Sequence, residues 1–203
     1  MSNALQPDSD FLGKYQNSGK IGLMLVDRFF AAAERLLAPT LQTGQSLLEV
    51  GCGPGYSTQR IARWKENIEL VGGDLSPSLL EHAKRLNPDI AFVHASVYSL
   101  PHADKSFDAV LLMEVLEHLE HPQAALSELH RVARGHVLLS TPREPLWRFL
   151  NFSRGKYISD FGNTPGHIQH WSTRGLKKEV STFFNVLDVA TPVPWTILLL
   201  SPK

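Results

Sequence analysis

Residues 46–58, SLLEVGCGPGYST, limit what this chain can fold into more than any other stretch. Leu47, Leu48 and Val50 form an apolar run of strand length. Gly51, Gly53 and Gly55 follow with Pro54 among them, and Tyr56 to Trp64 opens a helix. A strand, a glycine-rich turn and a helix in that order build a ligand cradle at the strand's carboxyl end. The glycines reach backbone angles closed to other residues and leave the main chain bare for close approach. The helix behind them turns its unpaired N–H groups toward whatever lies there.

A dinucleotide fingerprint, G-x-G-x-x-G, would place its third glycine at position 56 when counted from Gly51. That position is Tyr56, and the third glycine comes one residue early, at Gly55. Glu49, inside the strand, is a second departure from the dinucleotide pattern. LLEVGCGPG instead resembles the first motif of the class I S-adenosylmethionine-dependent methyltransferases, hydrophobic–hydrophobic–E/D–hydrophobic–G-x-G-x-G, at every position. The resemblance implies cofactor contacts at Glu49, Gly51, Cys52, Gly53 and Gly55.

Composition narrows the classes further. A chain of 203 residues, 43% of them hydrophobic, buries one good core, so one domain over residues 1–203 is expected. Its 20 basic and 20 acidic side chains cancel, so no overall field draws it to nucleic acid or an anionic membrane. The single cysteine, Cys52, excludes an intramolecular disulfide and suits a reducing, cytoplasmic setting. The N-terminus reads as polar without a secretory signal, and the longest apolar run, Ile197 to Leu200, is far too short to span a bilayer.

Along the chain, apolar residues at helical spacing (Leu25, Phe29, Ala32, Leu36) predict a helix over Ile21–Leu37, part of an N-terminal cap spanning 11–38. The resemblance makes Lys14 and Tyr15 lid residues over the cofactor; a solvated loop is the alternative. Ile68 to Gly73 reads as a second strand ending at Asp74, about 20 residues past the turn, where such folds place an acid on ribose hydroxyls. Asp74 would otherwise only start the next helix, but Ser76-Pro77 is already a cap followed by a first-turn proline. Leu75 joins Asp74 in the implied site. A helix over Pro77–Leu86 and a third strand over Ile90–Ala95 follow. The resemblance then sets Ser96 where an aspartate commonly binds the adenine amino group, with the Val97 N–H beside it; a hydroxyl accepts there more weakly than a carboxylate.

Ala109 to Met113 is the fourth strand, and the E-V-L-E-H after it resembles the quinone-biosynthesis and related small-molecule methyltransferases. That likeness turns the Met113 backbone to the cofactor. Glu114, at a strand's carboxyl end, points where substrate and cofactor meet. His118 is either a general base or a loop-holding hydrogen bonder. His118 and His121 are three apart, lack the H-E-x-x-H order and have no cysteine partners, so no metal site is expected. A helix over Pro122–Ala133 and a fifth strand over His136–Ser140 complete a β-α alternation, which implies a parallel sheet with helices on both faces.

Thr141-Pro142 breaks the alternation. Residues 143–170 interleave Trp147, Phe149 and Phe152 with Arg148, Arg154 and Lys156, and Glu144–Phe152 reads as a short helix. Loops this long are usually lids or binding loops. One reading is a lid with an apolar floor and a cationic rim; another is peripheral membrane contact through 143–157; a third is a packing cover with solvated arginines. His167 and His170 follow as further candidates to face a substrate. Trp171 and Leu176 can staple a helix capped by Ser172, predicted over Leu176–Phe183. The last two strands, Phe184–Val189 and Trp195–Leu200, leave no room for a helix between them and so pair antiparallel. The expected class is α/β: a Rossmann-like, doubly wound sheet of seven strands, mostly parallel, with the last strand antiparallel.

The resemblance implies transfer of a methyl group from S-adenosyl-L-methionine to a small-molecule acceptor, lipid-like or aromatic, with His118, His167, His170 and Glu114 as catalytic candidates. Three other classes stand beside it. They are a module that binds the cofactor without chemistry, an enzyme acting on RNA or protein, and a nicotinamide enzyme. Zero net charge and one domain speak against the macromolecular substrate.

Overall fold

The computed structural model describes residues 19–203; Lys14, Tyr15 and the cap before Gly19 lie outside them. Seven strands form one sheet in the order β3-β2-β1-β4-β5-β7-β6. The strands are β1 (Ser46–Val50), β2 (Glu69–Asp74), β3 (Ala91–His94), β4 (Phe107–Met113), β5 (Ala133–Pro142), β6 (Phe184–Ala190) and β7 (Trp195–Pro202). The first five pair parallel, and β7 runs antiparallel to both neighbours. β7 lies between β5 and β6, so the antiparallel strand is interior and β6 forms the edge.

Each central strand is apolar on both sides, as a sheet covered on both faces requires. Leu48, Val110, Leu112, Val137, Leu139, Leu198 and Leu200 point to one face. There they pack against α4 (Pro122–Val132) and α6 (Thr173–Val180). Leu47, Ala109, Leu111, Leu138, Ile197 and Leu199 point to the other, under α1 (Lys20–Leu37) and α2 (Tyr56–Ile61). Alternation along a strand puts successive side chains on opposite faces, which is why one run of leucines serves two cores.

Several boundaries shift for local reasons. Beyond Ile61 the chain tightens into i→i+3 bonds, Arg63 N–H to Arg60 O and Trp64 N–H to Ile61 O, so α2 is shorter than the run to Trp64. α3 (Pro77–Leu86) starts where Ser76 accepts from the Leu79 N–H. β5 begins at Ala133 and runs to Pro142, because β4 and β7 flank it over nearly its full length. α6 starts at Thr173 behind Ser172, whose hydroxyl accepts from the Gly175 N–H, and ends at Val180. Trp171 packs on the core as the staple requires. Within the insertion, α5 spans Leu146–Ser153, after Pro145, and a 3-10 turn covers Ile158–Asp160. No helix among the described residues is long and apolar enough to cross a membrane.

Candidate functional site

The cradle forms where β1 ends. The N–H groups of Gly51 and Cys52 both donate to Gly73 O, at 2.7 and 3.0 Å, and Gly53 N–H donates to Asp74 Oδ2 at 2.8 Å. The turn is thereby stitched to the end of the neighbouring strand. At Gly55 (φ +85°) an added Cβ would stand 2.9 Å from the Ala83 backbone, so only glycine lets α2 close on α3. At Gly53 (φ +53°) no described atom lies within 4 Å of that place, and the main chain is open to a ligand.

Glu49 supports the turn from beneath. It is 2% exposed, Thr58 Oγ1 donates to its Oε2 at 2.5 Å, and burial lifts its carboxyl to about 7, aided by the nearby Asp74 charge. Cys52 is buried, and burial pushes its thiol far above the ordinary range, which makes it inert packing.

Asp74 uses both oxygens inside the fold: Oδ2 takes Gly53 N–H, and Oδ1 takes Ser76 N–H at 2.8 Å. Ser76 itself caps the helix, so Asp74 ties turn to strand end rather than serving as the cap. A carboxylate has about four lone-pair sites, and a ribose diol needs two. Leu75 next to it is exposed, and His94 Nε2–H donates to its carbonyl at 2.9 Å. Ser96 closes a tight turn in which its carbonyl accepts from Ser99 N–H and its hydroxyl from Tyr98 N–H at 3.3 Å. Val97 and Met113 are half-buried on opposite cores.

Glu114 sits at φ +58°, a conformation that a non-glycine residue rarely takes, at the carboxyl end of β4. Ser140 Oγ donates to its Oε1 at 2.8 Å and Trp195 Nε1 to its Oε2 at 2.7 Å. These donors pin the carboxylate to β5 and β7. Trp195 in turn packs on Phe29, with ring centroids 5.1 Å apart, and on Trp147, 5.9 Å apart. Trp147 stacks on His167, and His167 meets His118 edge to face at 4.8 Å. An aromatic wall thus runs from α1 through β7 to the insertion at the sheet's carboxyl edge.

The insertion is stitched down at several points. Glu144 N–H donates to Trp171 O at its base. The N–H groups of Ile168 and Gln169 both donate to Glu117 O at 3.0 Å, and His118 Nδ1–H donates to Gly166 O at 2.9 Å. His118 thereby ties the insertion to the turn after β4. Glu117 and His167 are buried, and one ligand-type atom from each of Glu117, His118 and His167 falls within 4.8 Å of the others. The expectation of no metal site weighed His118 against His121, yet folding groups His118 with His167, 49 positions away. His170 is exposed, with Nε2 2.8 Å from Asn163 Oδ1. Glu117, Trp147 as a stacking partner, and Trp195 were missed in the sequence; only the second glutamate of E-V-L-E-H was a signal. Glu144, also missed, has its Oε1 buried with no hydrogen bond, and burial raises its carboxyl.

Sheet order and cradle together define the class, a Rossmann-like methyltransferase fold, and residues 48–139 match the family described as a methyltransferase domain. The chain is 30% identical over 154 residues to a demethylmenaquinone methyltransferase of Beutenbergia cavernae, covering 75% of this chain and 63% of that one. It is 34% identical over 105 residues to a ubiquinone biosynthesis O-methyltransferase of Alkalilimnicola ehrlichii, covering 48% of this chain and 42% of that one. The chain spans less than two thirds of the length of these curated relatives. The crystal structure of a magnesium protoporphyrin IX methyltransferase from Synechocystis with bound SAH superposes with a TM-score of 0.73 at 16% identity, covering 97% and 96% of the two chains. In fold and first motif the chain resembles the class I S-adenosylmethionine-dependent methyltransferases, and it is similar to the small-molecule enzymes of quinone biosynthesis.

Proposed function

We propose that this chain transfers the methyl group of S-adenosylmethionine to a small, apolar or aromatic acceptor in a cytoplasmic setting. The observation that carries the reading is the open Gly53 turn bonded to Asp74, beside an aromatic wall at the same sheet edge. When bound, S-adenosylmethionine supplies a methyl group already activated by its sulfonium. The protein's work is then alignment and exclusion of water, and good alignment contributes on the order of 7–11 kcal/mol. Gly51, Gly53 and Gly55 would let the cofactor lie on the backbone. The remaining lone pairs of Asp74 would accept the ribose hydroxyls, while Leu75, Ser96, Val97 and the Met113 backbone would meet the adenosyl group. Glu49 and Cys52 would act from below as packing. Glu114 would hold Trp195 and the wall.

For a hydroxyl acceptor, His118 Nε2 would take the proton, with the buried Glu117 carboxylate beside the imidazoles to favour the cation formed. His167 would orient that pair, and His170 would stay at the rim. Such a base adds roughly 10²–10⁴-fold. The same three side chains favour a second reading, in which they hold a divalent cation. Ligand atoms around zinc stand about 3.3 Å apart, so the cluster would contract on binding. Chelation that abolishes turnover, restored by added metal, selects the cation; turnover unaffected by chelator, with a lost acid limb in His118→Ala, selects the base.

Isothermal titration with S-adenosylmethionine, S-adenosylhomocysteine and NAD tests the reading first. Binding of the first two and not of NAD is expected, and Asp74→Ala should weaken them about 10–100-fold, the worth of charge-assisted hydrogen bonds. Binding of NAD alone would overturn it. Screening lipid and aromatic acceptors by mass spectrometry for an added methyl then separates an enzyme from a binding module.

A further inference from the structure

The insertion is patterned inside out. α5 turns its asparagine inward: Asn151 is buried, its Nδ2 donating to Gly162 O at 3.0 Å and to Thr164 Oγ1 at 3.2 Å. Its phenylalanines face outward, with Phe149 67% and Phe152 50% exposed. The return loop adds Ile158, also exposed, and Phe161, 76% exposed and held at φ +50°, where a bulky side chain rarely sits. Gly162 lies directly against the Arg148 carbonyl, so its chain neighbour Phe161, itself exposed, is held close to α5. A water-facing helix would show the reverse arrangement. Clustered exposed apolar groups of this kind mark an interaction surface.

Charge selects the occupant. Residues 143–170 carry four cations against two carboxylates in a chain whose charges otherwise cancel. Glu144 is drawn inward, which leaves Arg154 and Lys156 exposed beside the aromatic residues against the single exposed carboxylate of Asp160. A second copy on a two-fold axis would set these cations against themselves. An anionic bilayer meets both features at once, taking the rings into the headgroup boundary and the cations to its phosphates. We infer that the outer face of the insertion, Phe149, Phe152, Ile158 and Phe161 with Arg154 and Lys156, docks on an anionic lipid surface. Its inner face, through Trp147 and His167, lines the aromatic wall, so docking sets the proposed acceptor site at the membrane boundary. This use of the docking rests on the methyl-transfer reading; the docking itself does not.

Sedimentation of the full chain with vesicles of equal parts phosphatidylglycerol and phosphatidylcholine, against phosphatidylcholine alone, tests it. The chain should partition at least about tenfold more strongly onto the anionic vesicles, with the preference falling as salt rises. Phe149→Ser with Phe161→Ser, and separately Arg154→Gln with Lys156→Gln, should each lower that partition about tenfold or more. Equal partition onto both vesicles, or partition unchanged by either pair, would overturn the inference. So would a change of oligomeric state in the serine variant without vesicle binding, since that identifies a protein partner. Titration with S-adenosylhomocysteine reports folding of each variant, and its failure in the parent chain counts against the methyl-transfer reading alone. Should a double variant not fold, Phe161→Trp replaces it: quenching by acyl-brominated lipid beyond that of the parent supports docking, and none refutes it.

Discussion

Glu49 makes a test of the cradle at the scale of one residue. Its carboxyl is lifted from 4.5 to about 7 by burial, so the native state keeps a proton that the unfolded chain has already released. The associated stability is fully present below pH 4.5 and declines as pH rises toward 7, by about 3 kcal/mol in all. Glu49→Gln should remove this fall, and urea unfolding of both proteins between pH 4.5 and 8 measures the difference. Cys52, buried with its thiol held protonated, should resist a disulfide reagent until urea unfolds the chain, and prompt native labelling would contradict its packing role. Glu49 and the glycines were legible in the sequence because a turn's chemistry is local. Glu117 was not, because its meaning comes from His167, which no spacing rule connects to it.

Among the elements, the insertion departs furthest from its sequence. Read as a helix with a long loop, residues 143–170 left lid, cover and membrane contact undecided. Folding anchors them through backbone bonds at Glu144, Ile168 and Gln169, and through Asn151 at the centre. The tight approach at Gly162 (φ +78°), against the Arg148 carbonyl, makes it the weak point. Gly162→Ala should loosen the segment while the sheet stays intact, and limited proteolysis should then cut within 143–170 while the melting temperature falls by only a few degrees. Leu111→Ala, between two strands with no exposure, should instead cost roughly 2–5 kcal/mol in global unfolding.

Over the whole molecule, the cradle lies at the carboxyl ends of β1 and β2 and the aromatic wall at those of β4, β5 and the insertion, on either side of the point where strand order reverses. A ligand seated there touches elements far apart in the chain and stabilises them together. S-adenosylhomocysteine at about 100 times its dissociation constant should add about 2.7 kcal/mol, raising the melting temperature by roughly 5–10 °C. A scanning-fluorimetry shift with this compound and none with NAD is the expected pattern.

The β-α alternation, the capped helices, the glycine turn and the acid after the second strand could all be read from residue order. Each depends on neighbours a few positions apart, whose periodicity and backbone preferences are written in the chain. The place of β7 inside the sheet, the pinning of Glu114 by Ser140 and Trp195, and the meeting of Glu117, His118 and His167 were decided only by tertiary structure. Glu114 stands 26 positions from Ser140 and 81 from Trp195, and His118 stands 49 from His167, and only the closing of a shared core brings such residues together.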